Sequence, residues 1–258
     1  MPFTAKSGKF NASINTVEFG TGDKAVKIGG ENVFPLYSFD AAIENAPKVG
    51  IEITDFGMEH EPECIKKYYE GCATLADMAR KAASMEGVDF LSFRMEGGDP
   101  NGANKSTEEL IGELKEIADA VDLPLVVCGC KNVEKDAELF SKAAEALNGK
   151  NAVILSAKEE NYKTVGAAAG LAYKQIVGAE SAVDINLAKQ LNVLISQLCV
   201  DSKSVVMNVG SAAVGYGFEY VISTMDRVKA AALQQGDANL QMPIITPVAE
   251  EAWNVKEA

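Results

Sequence analysis

Short β-branched runs alternate with amphipathic helical stretches along almost the whole chain, and nothing else in the sequence restricts its fold so strongly. The runs are "VGIEITD" (49–55), "VDFLSFRM" (88–95), "LPLVVCGC" (123–130), "AVILSA" (152–157), "QIVGAES" (175–181), "SVVMNVGS" (204–211) and "MPIITPV" (242–248). Helices are predicted between them at 62–85, 107–121, 133–148, 185–199 and 215–234, with a small-residue helix around "VGAAAGLAY" (165–173) and a final short one after the last run. Strands that are apolar nearly throughout suit a sheet covered on both faces. The helix at 107–121 repeats Leu110, Ile111, Leu114, Ile117, Ala118 and Val121 at 3.6-residue spacing, which makes one buried stripe. Ser106 and Glu109 have capping-box spacing, and Asn132 and Asp184 are placed to cap the helices that follow them. Ahead of the first unit, "VEFGTGDKAVKIGG" reads as a hairpin around its Gly-Thr-Gly-Asp turn.

Strand followed by helix, repeated about seven times without a domain break, favours a (β/α)-barrel of the TIM type over an open sheet. Residues 1–48 are then the hairpin and lead-in, and residues 49–258 the barrel. A doubly wound nucleotide-binding fold would place a glycine-rich fingerprint after its first strand, and "VGIEITDFGMEHEPE" has none. "GSAAVGYG" (210–217) lacks the Lys-Ser/Thr end of a phosphate loop and reads as a tight βα turn.

The formal net charge of −13 over 258 residues argues against nucleic acid or anionic membrane as a partner, since phosphate recognition needs clustered Lys and Arg. No run of eighteen apolar residues is present to span a bilayer, and the first residues carry no apolar stretch of signal-peptide length. Five scattered cysteines do not make a secreted disulfide framework, so the expected compartment is the reducing cytoplasm.

In a barrel, chemistry sits at the carboxyl ends of the strands. That rim comprises Asp55; Glu96, Asp99, Asn101 and Asn104; Cys128, Cys130, Lys131 and Asn132; Ser156 and Lys158; Glu180, Ser181 and Asp184; Asn208 and Ser211; and Thr246. It is rich in amides and hydroxyls. The single histidine, His60, lies in the solvated-looking "GMEHEPE", so Ser-His-Asp catalysis has no base. Cys128 and Cys130 could be a metal or redox pair. However, a cluster usually needs four thiolates, and Cα atoms two apart on a strand lie about 6.5–7 Å apart, at the limit for a disulfide. Thiols at a strand end are the favoured reading. Glu96 and Asp99 could form an acid–base pair or a Mg²⁺ site, but Gly-Gly-Asp-Pro-Asn-Gly is also a strong turn sequence, and the turn is favoured.

Several stretches resemble one family, the small (delta-type) subunit of the corrinoid/iron–sulfur protein in the acetyl-CoA decarbonylase/synthase, or Wood–Ljungdahl, system. They are 29–55, 106–127, 151–173, "AESAVDINLAKQLNVLISQL" (179–198), "GYGFEYVISTMDRVKAAALQ" (215–234) and 242–258. The resemblance implies a TIM barrel similar to pterin-dependent methyltransferases, paired with a large subunit that brings a corrinoid (cobalamin) and a [4Fe-4S] cluster. The heterodimer would take a methyl group onto cobalt from methyltetrahydrofolate, by way of a methyltetrahydrofolate:corrinoid methyltransferase, and deliver it to acetyl-CoA synthase. No D-x-H-x-x-G loop occurs here to supply a lower axial ligand. On this basis the barrel mouth is expected to cover the partner's corrinoid, with Asn101, Asn104, Asn132, Lys158, Asn208, Ser211 and Thr246 as contacts chosen by rim position. No catalytic residue or metal ligand is expected within the chain itself. The alternatives are a pterin-binding methyltetrahydrofolate methyltransferase, with Asn208 and rim aspartates holding the pterin, and a purely structural scaffold subunit.

The chain also departs from the family's pattern. It stops at "EAWNVKEA", where the family continues through another strand and helix, so the last βα unit is expected to be missing unless "FPLYSF" (34–39) serves as a strand. An unclosed barrel has exposed edges, which predicts dependence on a partner or on self-association.

Overall fold

A computed structural model describes residues 10–34, 43–252 and 255–256. The "FPLYSF" run lies almost wholly outside the described residues. The predicted hairpin is present: β1 (Val17–Phe19) pairs antiparallel with β2 (Val26–Ile28), with Glu18 opposite Lys27. After it come β3 (Gly50–Thr54), β4 (Phe90–Arg94), β5 (Leu125–Cys128), β6 (Val153–Ala157), β7 (Ile176–Glu180) and β8 (Val205–Asn208). These six form one parallel sheet in sequential order, each strand beside its neighbour in sequence. A doubly wound sheet reverses its strand order partway; this one does not. The result is a barrel-like α/β architecture.

The strand pattern has period two, but both sets of side chains are apolar. On β5, Leu125 and Val127 join the core beneath the helices, while Val126 and Cys128 join a separate core on the opposite face. The helix-side core takes Met78 and Ala82 from α2 (Leu75–Ala83), and Leu110, Leu114 and Ile117 from α3 (Thr107–Ala120). It also takes Leu139 and Phe140 from α4 (Val133–Ala146) and Leu191 and Ile195 from α6 (Ile185–Gln197), α5 being Tyr162–Val165. The other core combines Val126, Val153, Ile176 and Val206 with hairpin residues Val17, Phe19 and Val26. Gly20 donates to the carbonyl of Asn151 (2.7 Å), and the Asn151 amide donates to the carbonyl of Glu18 (2.9 Å). These bonds fasten the hairpin to the residue just before β6, at the amino ends of the strands, and leave the carboxyl ends open.

The structure differs from the expected elements in three places. The helix expected over 62–85 is two: α1 (Glu63–Tyr68) and α2. Gly71, at φ +87°, turns the chain, and Thr74 starts afresh with a capping box, its Oγ1 accepting from Asp77 N–H while Asp77 Oδ2 accepts from Thr74 N–H (both 3.1 Å). Cys64 and Cys72 therefore do not share a helix. The small-residue segment runs from α5 into a widened π-type turn over Gly166–Ala172. A Cβ at Gly170 would meet Val200 at 2.8 Å, so glycine allows that close approach. The seventh run makes a single parallel bridge, Met207 to Ile244, with Met207 N–H donating to Pro243 (2.8 Å) and Ile245 N–H to Met207 (2.9 Å). Pro243 and Pro247 flank it and lack the N–H a longer ladder would need. The last helices are α7 (Phe218–Gln234) and α8 (Val248–Ala252).

Candidate functional site

Polar side chains enter the hairpin-side face as the strands approach their carboxyl ends. Arg94, at the end of β4, donates from Nε and Nη2 to the two carboxylate oxygens of Glu52 on β3, both at 3.0 Å. The two side chains are only 8% and 12% exposed, and the bidentate geometry compensates each buried charge. Beside them the Ser92 hydroxyl lies 3.5 Å from the Cys128 sulfur.

Above this pair a cavity of about 270 Å³ opens among the ends of β4 to β8, reaching Pro247 and Glu251 of the C-terminal segment. Asn208 is buried in its wall, donating from Nδ2 to Ser156 Oγ (2.9 Å) and accepting at Oδ1 from Gly210 N–H (3.0 Å). Lys158 and Glu180 pair across the wall at 3.3 Å, and Lys131 pairs with Glu251 at 3.5 Å. Arg94, Lys131 and Lys158 face Asp136, Glu180 and Glu251 around the lining, which therefore mixes both signs of charge. Ser211 Oγ and Thr246 Oγ1 are buried with no hydrogen-bond partner among the described residues. Ser211 lines the cavity, and Thr246 adjoins Pro247, which also lines it. A hydroxyl left without water or a partner is costly, and such a group is ready for a ligand.

The Cys128-Gly129-Cys130 stretch has a structural role. The Asp136 carboxylate packs on Gly129, where any Cβ would collide with it, and accepts the Cys130 N–H at 2.7 Å. Burial raises the Asp136 carboxyl above its usual range, although the backbone bonds from Cys130 and Lys131 oppose the rise. Burial also pushes the Cys130 thiol up to about 12. Both cysteines are buried, and no group of three His, Cys, Asp or Glu among the described residues is placed to hold a metal.

The rim acids are likewise engaged locally. Asp55 accepts Gly97 N–H (2.9 Å) and pairs with Lys105 (3.0 Å), which also reaches Glu113 (3.3 Å). Burial raises the Glu113 carboxyl. Asp99 accepts at Oδ1 from the backbone (3.0 Å) and side-chain amide (3.3 Å) of Asn101, as a turn requires. His60 stacks edge-on against Phe56, 4.7 Å between ring centroids, and is exposed.

Of the seven residues picked from rim position, Lys158, Asn208 and Ser211 line the cavity, and Thr246 precedes Pro247, which lines it. Asn101 belongs to the Asp99 turn. Asn104, at φ +50°, donates its N–H to the carbonyl of Asp99 (3.1 Å). Asn132 caps α4, accepting from Lys135 N–H at 3.0 Å, as Asp184 caps α6. Sequence reasoning missed Glu52, Arg94 and Asp136. Glu52 and Arg94 could have been noticed as single charges inside otherwise apolar strands, where such a residue needs a partner. Asp136 left no comparable signal, since a polar residue in the first turn of a helix is ordinary.

A family model described as the CO dehydrogenase/acetyl-CoA synthase delta subunit matches residues 16–258. The chain is 32% identical over 251 residues to the acetyl-CoA decarbonylase/synthase complex subunit delta of Methanothermobacter thermautotrophicus, covering 96% of this chain and 63% of that protein. It is 33% identical over 240 residues to the subunit of that name from Methanopyrus kandleri, covering 92% and 59%. With that of Archaeoglobus fulgidus it shares 31% over 244 residues, covering 93% and 53%. The chain thus spans between 53% and 63% of the length of these curated relatives.

Proposed function

The chain belongs to the CO dehydrogenase/acetyl-CoA synthase delta subunit family, and from that premise we propose that it is the small subunit of a methyl-carrying corrinoid/iron–sulfur protein. In this reading its cavity mouth closes over a corrinoid held by a large partner subunit, which also carries the [4Fe-4S] cluster. The methyl group comes from methyltetrahydrofolate through a corrinoid methyltransferase and passes to acetyl-CoA synthase. The observation that carries the reading is the Ser211 hydroxyl, buried without a protein partner on the cavity wall that also holds Asn208, together with the likewise unpartnered Thr246 hydroxyl in the segment that reaches the cavity at Pro247.

A corrin ring bears amide side arms on its rim, and hydroxyls at a cavity edge can both donate to and accept from them. About 270 Å³ is below the roughly 300–1,000 Å³ of pockets that engulf a drug-sized ligand, so the cavity would admit a side arm while the ring rests on the mouth. The residues present therefore fit one side of such a group. Its cobalt, when bound, supplies the strong nucleophile that accepts a methyl cation equivalent. This chain's residues have the other tasks. Ser211, Thr246 and Asn208 orient the ring's edge, Lys158 with Glu180 closes one wall, and the mouth as a whole keeps water from the reactive face. Two enzymes need the same face in turn, so the cover must open between them.

Sequential strand order and helices gathered on one sheet face support a (β/α)8 barrel as the architecture to which this sheet belongs. The reading is tested by co-expressing the chain with its corrinoid-bearing partner and measuring corrinoid per complex from visible absorbance after gel filtration. Ser211→Ala with Thr246→Ala lowers retention about tenfold or more, the value of two hydrogen bonds. Full retention in the double variant refutes the contact set, and saturable methyltetrahydrofolate binding by the chain alone favours the pterin methyltransferase instead.

A further inference from the structure

The turn between β7 and α6 holds two successive non-glycine residues in the left-handed region, Ala182 at φ +43° and Val183 at φ +67°. For a β-branched residue this is a genuine outlier, since its Cβ crowds the following carbonyl. Glycine would take the same conformation without strain.

The surroundings hold the turn firmly in place. Ser181 N–H donates to Asn208 O (2.9 Å), Val183 N–H to Val209 O (2.8 Å) and Asp184 N–H to Ser181 O (3.0 Å). The Thr224 hydroxyl donates more weakly to the carbonyl of Val183 (3.4 Å). Gly210 lies close beneath, where a Cβ would meet the Ala182 Cα at 3.5 Å. All these bonds use the backbone, and none of them needs a side chain at 182 or 183. Yet both residues line the cavity, and Val183 remains 37% exposed at its mouth. Strain maintained by surrounding structure is a mark of ligand clamps and functional sites.

Resting on the corrinoid reading above, we infer that Val183, raised by this strained turn, is the apolar contact on which the flat face of the macrocycle seats. The hydroxyls of Ser211 and Thr246 take its polar edge. An isopropyl group suits the hydrocarbon face of a corrin, and its fixed position in the turn requires no ordering when the ring arrives. Val183 would then select a flat macrocycle with an apolar face and a polar rim over a smaller polar ligand.

Stability and binding place opposite demands on this side chain. Val183→Gly relieves the strain but removes the contact. Val183→Ala keeps a Cβ in the strained region and loses two carbons of contact. Each variant is made in the full chain. Its thermal midpoint is measured alone, and the corrinoid retained is measured in the co-expressed complex supplied with hydroxocobalamin. Val183→Gly is expected to leave the midpoint unchanged or raise it by up to about 4 °C, while retention falls about tenfold, the worth of roughly two methylene groups. Val183→Ala is expected to lose retention similarly with no gain in midpoint. Unchanged retention in both variants overturns the inference while leaving the proposed function intact. A midpoint that falls together with retention in Val183→Gly also overturns it, because the side chain is then part of the fold. A wild-type complex that retains no corrinoid overturns the proposed function and this inference together.

Discussion

Cys130 shows how burial decides the chemistry of a residue whose sequence context invites another reading. A cysteine two positions from another looks reactive, but nucleophilic cysteines are partly exposed and close to positive charge. Here the thiol is enclosed, and burial first, with the negative charges of Asp136 and Asp99 adding to it, pushes its pKa up to about 12. Cys128 is buried on the other face of β5, while Cys64 and Cys199 are exposed. At pH 8 a thiol reagent should therefore label Cys64 and Cys199 rapidly, and Cys128 and Cys130 only after denaturation. Raising the pH to 10 should not bring Cys130 into the fast phase, because the folded thiol keeps its proton until pH approaches 12. The unfolded thiol ionises near 9 and the folded one later, so this group's contribution is intact below about pH 9 and declines towards 12. Fast labelling of four thiols in the native chain would contradict the burial. At this scale the sequence was partly legible. It located the strand-end cysteines and the caps, but the burial that silences Cys130 arises from α4 laying Asp136 over Gly129, a tertiary contact without a local signature.

Between elements, the Glu52–Arg94 pair joins β3 to β4 on the face that holds the hairpin, where the strands' other contacts are apolar or hydroxyl. A buried pair is a poor source of net stability, yet a half-pair is severely costly. Glu52→Ala leaves the guanidinium without its bidentate acceptor and should destabilise the fold by about 3–5 kcal/mol in urea titration. Replacing both, Glu52→Leu with Arg94→Met, should restore stability to within about 1 kcal/mol of wild type. A double variant as unstable as the single one would mean that Arg94 is held chiefly by other partners. Element positions were read well wherever a cap or glycine marks a boundary, as at Ser106, Asn132 and Asp184. They were read poorly where the apolar pattern continues across a break. The helix expected over 62–85 divides because Gly71 and the Thr74–Asp77 box outrank the hydrophobic periodicity between them. The run at 242–248 has strand composition, but two prolines confine its pairing to one bridge.

At the scale of the whole molecule, the order of the sheet was legible because consecutive βα units settle beside one another. Which face of each strand meets the helices was not, since both faces are apolar and period-two reasoning loses its contrast. The same ambiguity concealed the hairpin's place at the amino ends, opposite the cavity at the carboxyl ends. Exposed apolar side chains concentrate there. Val214, 83% exposed, follows Ser211 by three residues, and Tyr220, 66% exposed, stands in the first turn of α7. Monomeric surfaces tolerate scattered apolar residues, but a group of them beside a polar mouth marks a contact face, and tyrosine is enriched among the residues that dominate such contacts. If the proposed partner closes over this mouth, Val214→Asp and Tyr220→Ala should each weaken the complex by about tenfold or more, measured by titrating the labelled chain into the corrinoid-bearing subunit. Neither side chain belongs to a buried core, so the thermal midpoint of the chain alone should move by no more than about 2 °C. A control at the closed end, Lys27→Ala on the hairpin's exposed edge, should leave the affinity unchanged. Loss of affinity in the control but not in Val214→Asp would put the partner at the amino ends of the strands, beneath the hairpin and away from the cavity. No residue of the mouth could then touch a group that the partner carries.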